Sequence, residues 1–189
     1  MEENTGGKKM GVLTEYVRKE VDQIRAELNR RKELLDEWLA AISKLYDALE
    51  GWIREADSGL GILGISRDKT VQLVSEPRLG HYNVHLMWVT FGGAIGAREA
   101  LVVPKARYVA SVIQPPGRAP RQADGLVEIR SSPMNLSSMP EYYLFRWKAE
   151  TGDEWFIRSV SDWNANPDDN RVDPLSREQF EIAMLRVLQ

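Results

Sequence analysis

Between Val12 and about Asp57 the chain has no proline, and its apolar residues recur three and four positions apart. Val21, Leu28, Leu35, Ile42 and Leu49 take the a positions of a heptad, and Ile24, Arg31, Trp38, Leu45 and Trp52 take the d positions. A phase kept this long predicts one helix, roughly 65 Å in length, whose seam must be covered by something. Up to Arg31 the seam is narrow and flanked by Arg25, Glu27 and Lys32. Beyond it Leu34, Leu39, Tyr46 and Ile53 widen the stripe past what a single partner helix covers. The pattern therefore predicts that the second half packs on the chain's own folded body. The first half projects and pairs with another chain or another helix. Arg31 at a d position weakens a simple dimer, so it sets register or marks where the partner ends. A hairpin folding back on itself would need a turn, and none is signalled between Gly11 and Gly51.

The stretch "GLGILGIS", residues 59–66, has the G-x-G-x-x-G spacing of a dinucleotide-binding turn. That turn works because a strand enters it and a helix N-terminus leaves it to meet the phosphates. Here a helix precedes Gly59, and the strand-like "ILGISRDKTVQLVS" follows. The glycines are better read as punctuation, with Gly59 ending the helix in a left-handed conformation after a frayed Asp57 and Ser58. Gly61 and Gly64 open the sheet, and the turn is a candidate hinge between arm and body.

After that turn, strand-like segments recur at 69–75, 82–91, 99–103, 125–130, 142–149 and 154–160, with a weaker one at 107–113. Short strands separated by Pro- and Gly-bearing connections predict an antiparallel sheet or a partly closed barrel. An odd-numbered loop at "TGD" would put Phe145 and Trp147 on one face with Trp155 and Ile157. Arg146, Lys148, Glu154 and Arg158 would then face solvent. In "DPLSREQFEIAMLRVLQ", Ser176 and Gln179 have capping-box spacing, and Leu175 with Phe180 forms a hydrophobic staple. Phe180, Ala183, Met184, Val187 and Leu188 make an apolar stripe, so a short amphipathic helix caps the sheet. The fold expected is α+β. It divides into a tail over 1–11, a long helix and association arm over 12–58, and a globular domain over 59–189.

The polar segment "DWNANPDDNRVD" places Asp162, Asn164, Asn166, Asp168, Asn170 and Asp173 at positions 1, 3, 5, 7, 9 and 12 of a calcium loop. It resembles an EF-hand loop over these twelve residues only. Pro167 replaces the turn glycine, and Asp173 replaces the bidentate glutamate. A solvated Asx-rich turn before a helix accounts for the same residues. His81 and His85 are the two histidines; on a strand they stand roughly 13 Å apart, too far to share one ion. Lys105, Arg107, Arg118 and Arg121 form a basic stretch over 105–121 that could meet nucleic-acid backbone weakly.

Composition narrows the classes further. The chain has no cysteine, which removes thiol nucleophiles, disulfides and cysteine-based metal centres. A formal charge of −3 is unlike the basic excess of a general nucleic-acid binder. The longest apolar runs fall short of a membrane span, and the expected location is cytoplasmic. The leading expectation is a non-enzymatic oligomeric interaction module whose seam is carried by Val21, Ile24, Leu28, Arg31, Leu35 and Trp38. It associates with itself or with a helical protein partner, without membrane or cofactor. The alternatives are a small-ligand-binding or enzymatic domain with its site in the sheet concavity, and a weak nucleic-acid-associated protein using 105–121.

Overall fold

The computed structural model describes residues 11–67, 69–92, 98–131, 139–166 and 168–189. The expected tail, apart from Gly11, lies outside the described residues, as does Pro167. The heptad region is one helix, α1 (Val12–Asp57), about 69 Å long. Its two halves have different surroundings. Every described residue from Gly11 to Glu33 except Glu20 is exposed, whereas Trp38, Ala41, Ile42, Leu45, Tyr46, Leu49 and Ile53 are buried.

The helix ends as punctuation. Ser58, Gly59 and Gly61 all have left-handed backbone angles, with φ of 46°, 79° and 67°. The first left-handed residue is thus Ser58 rather than Gly59, tied down by its hydroxyl donating to the Glu55 carbonyl at 3.0 Å. Asp57 is the last residue of the helix and is not frayed. Its carboxylate accepts the N–H groups of Gly61, Ile62 and Leu63 at 2.7, 2.9 and 3.0 Å. Those three donors hold its carboxyl below the usual carboxylate range. This is not a hinge between arm and body, because Leu45, Leu49 and Ile53 before it already belong to the core.

Leu63 opens β1 (Leu63–Ser66), followed by β2 (Val71–Glu76), β3 (Gly80–His85), β4 (Met87–Phe91) and β5 (Arg98–Ala106). Next come the short β6 (Val112–Ile113) and β7 (Arg121–Gln122), then β8 (Gly125–Ser131), β9 (Tyr142–Ala149) and β10 (Gly152–Ser159). A short helix α2 (Val160–Ala165), a two-residue β11 (Asp173–Pro174) and the terminal helix α3 (Arg177–Val187) complete the chain. The main sheet is antiparallel and open, in the order β1-β4-β5-β8-β9-β10-β11. Two ribbons, β2-β3 and β6-β7, lie outside it.

The segment 82–91, expected as one strand, is two. Tyr82–His85 pairs with β2, Met87–Phe91 pairs with β1 and β5, and Leu86 marks the crossing. Of 107–113, only Val112 and Ile113 are strand.

One face of the main sheet is filled by α1 and α3. Trp38, Ile42, Leu45 and Leu49 from α1 and Phe180, Ala183 and Met184 from α3 meet Val89, Val102, Val127 and Leu144. The Ser176 hydroxyl caps α3 by accepting from the Gln179 N–H at 3.3 Å, and Leu175 packs against the same core, as the capping pattern requires. On the opposite face Phe145, Trp147 and Phe156 pack with Ile113, Ala123 and Val172. The central strands are therefore covered on both sides, which is why they read as nearly continuous apolar runs.

That two-sided burial corrects the expected hairpin. The turn between β9 and β10 spans two residues, Glu150 and Thr151, and pairs Phe156 with Phe145 and Trp155 with Arg146. An even loop moves every partner by one position relative to an odd one, and so exchanges the faces. Phe145 and Trp147 share a side with Phe156, while Arg146 lies beside Trp155 and Leu144 on the α1 face. Arg146, expected in solvent, is only 1% exposed.

Candidate association surface

The half of α1 that leaves the body carries Val17, Val21, Ile24 and Leu28 at successive d and a positions, each between 39% and 57% exposed. Leu13 is 74% exposed. Charged and polar residues make up most of the remaining faces, with Tyr16 exposed among them, and Arg31 donates to Glu27 one turn earlier at 3.1 Å. Helices in proteins draw most of their stability from packing of an apolar face, and over Val12–Glu33 that face is exposed in the single chain. An apolar stripe on an otherwise solvated helix is a surface that gains by being covered.

The expected seam divides. Val21, Ile24, Leu28 and Arg31 stand on the free arm; Leu35 is half-buried, and Trp38 is wholly buried beneath the sheet. Trp38 thus belongs to the core and is withdrawn from the association surface. Its heptad position is the same as that of Ile24, but the body occupies that side of the helix.

Polar side chains hold this boundary. The carboxylate of Glu37 accepts from Arg107 at 3.0 Å, from Lys148 at 3.2 Å and from buried Arg146. Arg146 also donates to Asp153 at 2.8 Å through Nε. Burial alone would push the Glu37 carboxyl up. The Arg146 hydrogen bond and charge, with Arg107 and Lys148, overcome this and hold it at about 2. A second carboxylate, Glu76, accepts from the Tyr82 hydroxyl and from the backbone N–H groups of Arg107 and Tyr108 at 3.0 and 2.9 Å. Both clusters fasten α1 and the β2-β3 ribbon to the sheet. No sequence signal singled out Glu37, because its partners lie 70 and 109 residues away.

The segment proposed for calcium is organised by a guanidinium. Asp162 and Asn164 lie in α2, whose N-cap Ser159 accepts from the Asp162 N–H at 3.1 Å. Asn166 follows the helix, Asp168 sits in a turn with Asn170 just beyond, and Asp173 is in β11. Arg158, buried on the far face of β10, donates to the carbonyls of Asp162 at 3.1 Å and Arg171 at 3.0 Å and to that of Asp169. The carboxylate of Asp169, outside the expected pattern, pairs with Arg171 at 2.9 Å. A positive group of the chain thus already gathers the carbonyls. Among the described residues no three His, Asp or Glu side chains converge at metal-ligating distance.

The other candidates are likewise placed. His81 and His85 sit exposed on β3, opposite Ser75 and Val71. Lys105 pairs with Glu128, Arg107 with Glu37, Arg118 with Glu154 and Arg121 with Asp124. Arg118 and Arg121 also lie over the Trp147 ring. The basic stretch is therefore matched by the protein's own carboxylates. An apolar cleft of about 390 Å³ opens between α1, β4 and α3, lined by Ile53, Leu63, Val89, Phe180 and Met184. Arg98 also lines it, donating to the Leu188 carbonyl at 3.0 Å. No helix among the described residues is long and apolar enough to cross a membrane.

No protein-family model, curated protein or solved structure matches this chain.

Proposed function

We propose that this protein is a non-catalytic interaction module that self-associates through the free half of α1. The observation that carries the reading is the apolar stripe Val17–Val21–Ile24–Leu28, which continues the heptad of the packed half into solvent. The same repeat is satisfied by the sheet from Trp38 onward and, among the described residues, has no cover before Leu34. Light scattering on the full chain tests the proposal. A concentration-dependent oligomer at micromolar protein is expected, and a monomer throughout that range would overturn it. Ile24→Glu and Leu28→Glu should abolish the oligomer while leaving the far- and near-ultraviolet circular dichroism of the body unchanged.

The cleft between α1, β4 and α3 favours a second reading, a binder of small apolar ligands carrying an acidic group. Its walls are mainly aliphatic and aromatic, Arg98 supplies one cation, and Glu181, which also lines it, is paired with Arg177. Medium-chain carboxylates should raise the melting temperature if this reading holds, and Arg98→Met should remove the effect. A flat response across chain lengths would dispose of it.

A further inference from the structure

We infer that two copies of this chain pair their free arms antiparallel, with a twofold axis crossing α1 between Asp22 and Gln23. The inference rests on the association reading above and specifies its geometry. The partner is a second copy, and the first argument is where the folded body stands. Ile42 and Leu49 at a positions and Trp38 and Leu45 at d positions are buried under the sheet. The body therefore sits on the same stripe of α1 that the arm exposes. A second copy running parallel and in register would lay its own Leu35–Trp52 along that stripe, in space the sheet already fills. An antiparallel copy carries its body to the opposite end.

Register follows from the heptad. In an antiparallel pair, a positions face d positions, so Val21 meets the partner's Ile24 and Leu28 meets the partner's Val17, each twice by symmetry. In the same register Val12 comes level with the partner's Glu33, the last exposed residue before the body begins. The pairing length thus equals the free length of the arm. Leu13 comes beside the partner's Leu34, a half-buried residue at the body's edge. Arg31 also finds a place. A parallel pair would set it against its own copy, whereas here it meets the partner's Thr14 at the end of the seam, near water.

Area and charge set the strength. The exposed parts of Leu13, Val17, Val21, Ile24 and Leu28 amount to about 500 Å² of apolar surface per copy, near the lower bound for a specific interface. The flanks oppose this orientation. Arg18 comes beside the partner's Arg25, and Glu20 beside the partner's Glu27. A parallel pair would instead match Glu20 with the partner's Arg25 and Glu27 with the partner's Lys32. Exposed pairs of this kind change an equilibrium constant by about twofold each. That cannot offset the overlap of a folded body with a helix. The antiparallel dimer must therefore tighten as salt screens its like charges, whereas a parallel dimer would loosen.

The test uses the full-length chain, whose lack of cysteine gives a clean background. Val17→Cys and Leu28→Cys proteins are mixed and joined with a short bis-maleimide. The antiparallel pair yields the mixed 17–28 product, and neither variant alone links to itself. Like positions lie about 16 Å apart along the axis in this register, outside the reach of a short link. Links at 17–17 and 28–28 would overturn the orientation while leaving association standing. A monomer by light scattering at tens of micromolar would overturn both. A dimer with neither product would place the contact elsewhere and overturn the register. Arg25→Glu supplies an independent readout. It relieves both arginine pairs and should tighten the antiparallel dimer severalfold at low salt, while the same change would weaken a parallel one.

Discussion

A Cβ placed on Gly125 would stand 2.5 Å from the Trp38 ring, so the first residue of β8 is glycine because the α1 indole lies against its backbone. Its backbone angles do not demand glycine; the close approach does. Gly125→Ala should destabilise the protein by about 1–3 kcal/mol through overpacking. Trp38→Phe, which removes the ring atoms in conflict, should recover part of that loss in the double variant. Chemical denaturation of the two single variants and the double variant measures the coupling.

Glu37 makes stability depend on acid. Its carboxyl sits at about 2, below its ordinary value of 4.5, so the folded state favours the charged form. The stabilisation is fully present above about pH 4.5 and fades as pH falls toward 2. Glu37→Gln should flatten that part of the pH profile. It should also cost about 1–3 kcal/mol at neutral pH, since among the described residues buried Arg146 then keeps Asp153 alone as an acidic partner. Urea denaturation from pH 7 to pH 3 distinguishes the two effects.

Tyr46 links three layers. From α1 its hydroxyl is placed to donate to the His85 carbonyl at 2.9 Å and the Val102 carbonyl at 3.2 Å, joining the end of β3 to β5. Burial pushes its pKa up, so the donor stays protonated through the alkaline range. Tyr46→Phe should cost about 1–2 kcal/mol. Amide exchange should accelerate in the β2-β3 ribbon more than in β8 and β9.

Arg158 holds the segment from Asp162 to Arg171 by its carbonyl oxygens. Arg158→Met, which keeps the aliphatic stem, should speed limited proteolysis within that segment and lower stability by about 2 kcal/mol. Millimolar calcium should leave the wild-type melting temperature unchanged. A rise would show a cation binding the folded state there.

Helices α1 and α3 and their apolar stripes were legible, because a helix writes its buried stripe into a local period of 3.6. Ser176, Gln179 and Phe180 announced the start of α3 within five residues. The antiparallel sheet was legible as a class, but the register of β9 against β10 was not. It turned on whether the loop held an odd or an even number of residues, and the two-residue loop put Arg146 inside. The Glu37 and Glu76 clusters had no local signature, since each joins elements far apart in the chain. The calcium spacing is limited in a related way. Oxygen-bearing residues at alternate positions say nothing of whether Arg158, from a neighbouring strand, has already claimed the carbonyls.

By itself the sequence determined that this protein has a long seamed helix, an antiparallel sheet and a capped terminal helix, all written in short-range periodicity. The widening of the stripe put the passage from solvent to core beyond Arg31, but whether Leu35 and Trp38 belong to the arm or to the core could not be told, because Ile24 and Trp38 occupy equivalent heptad positions. Only the tertiary structure decided that, by seating the sheet on the stripe from Trp38 onward. In the proposed dimer the same placement is the argument against the parallel pairing that the flanking charges favour, since exclusion of one folded body by another outweighs a few solvent-exposed ion pairs.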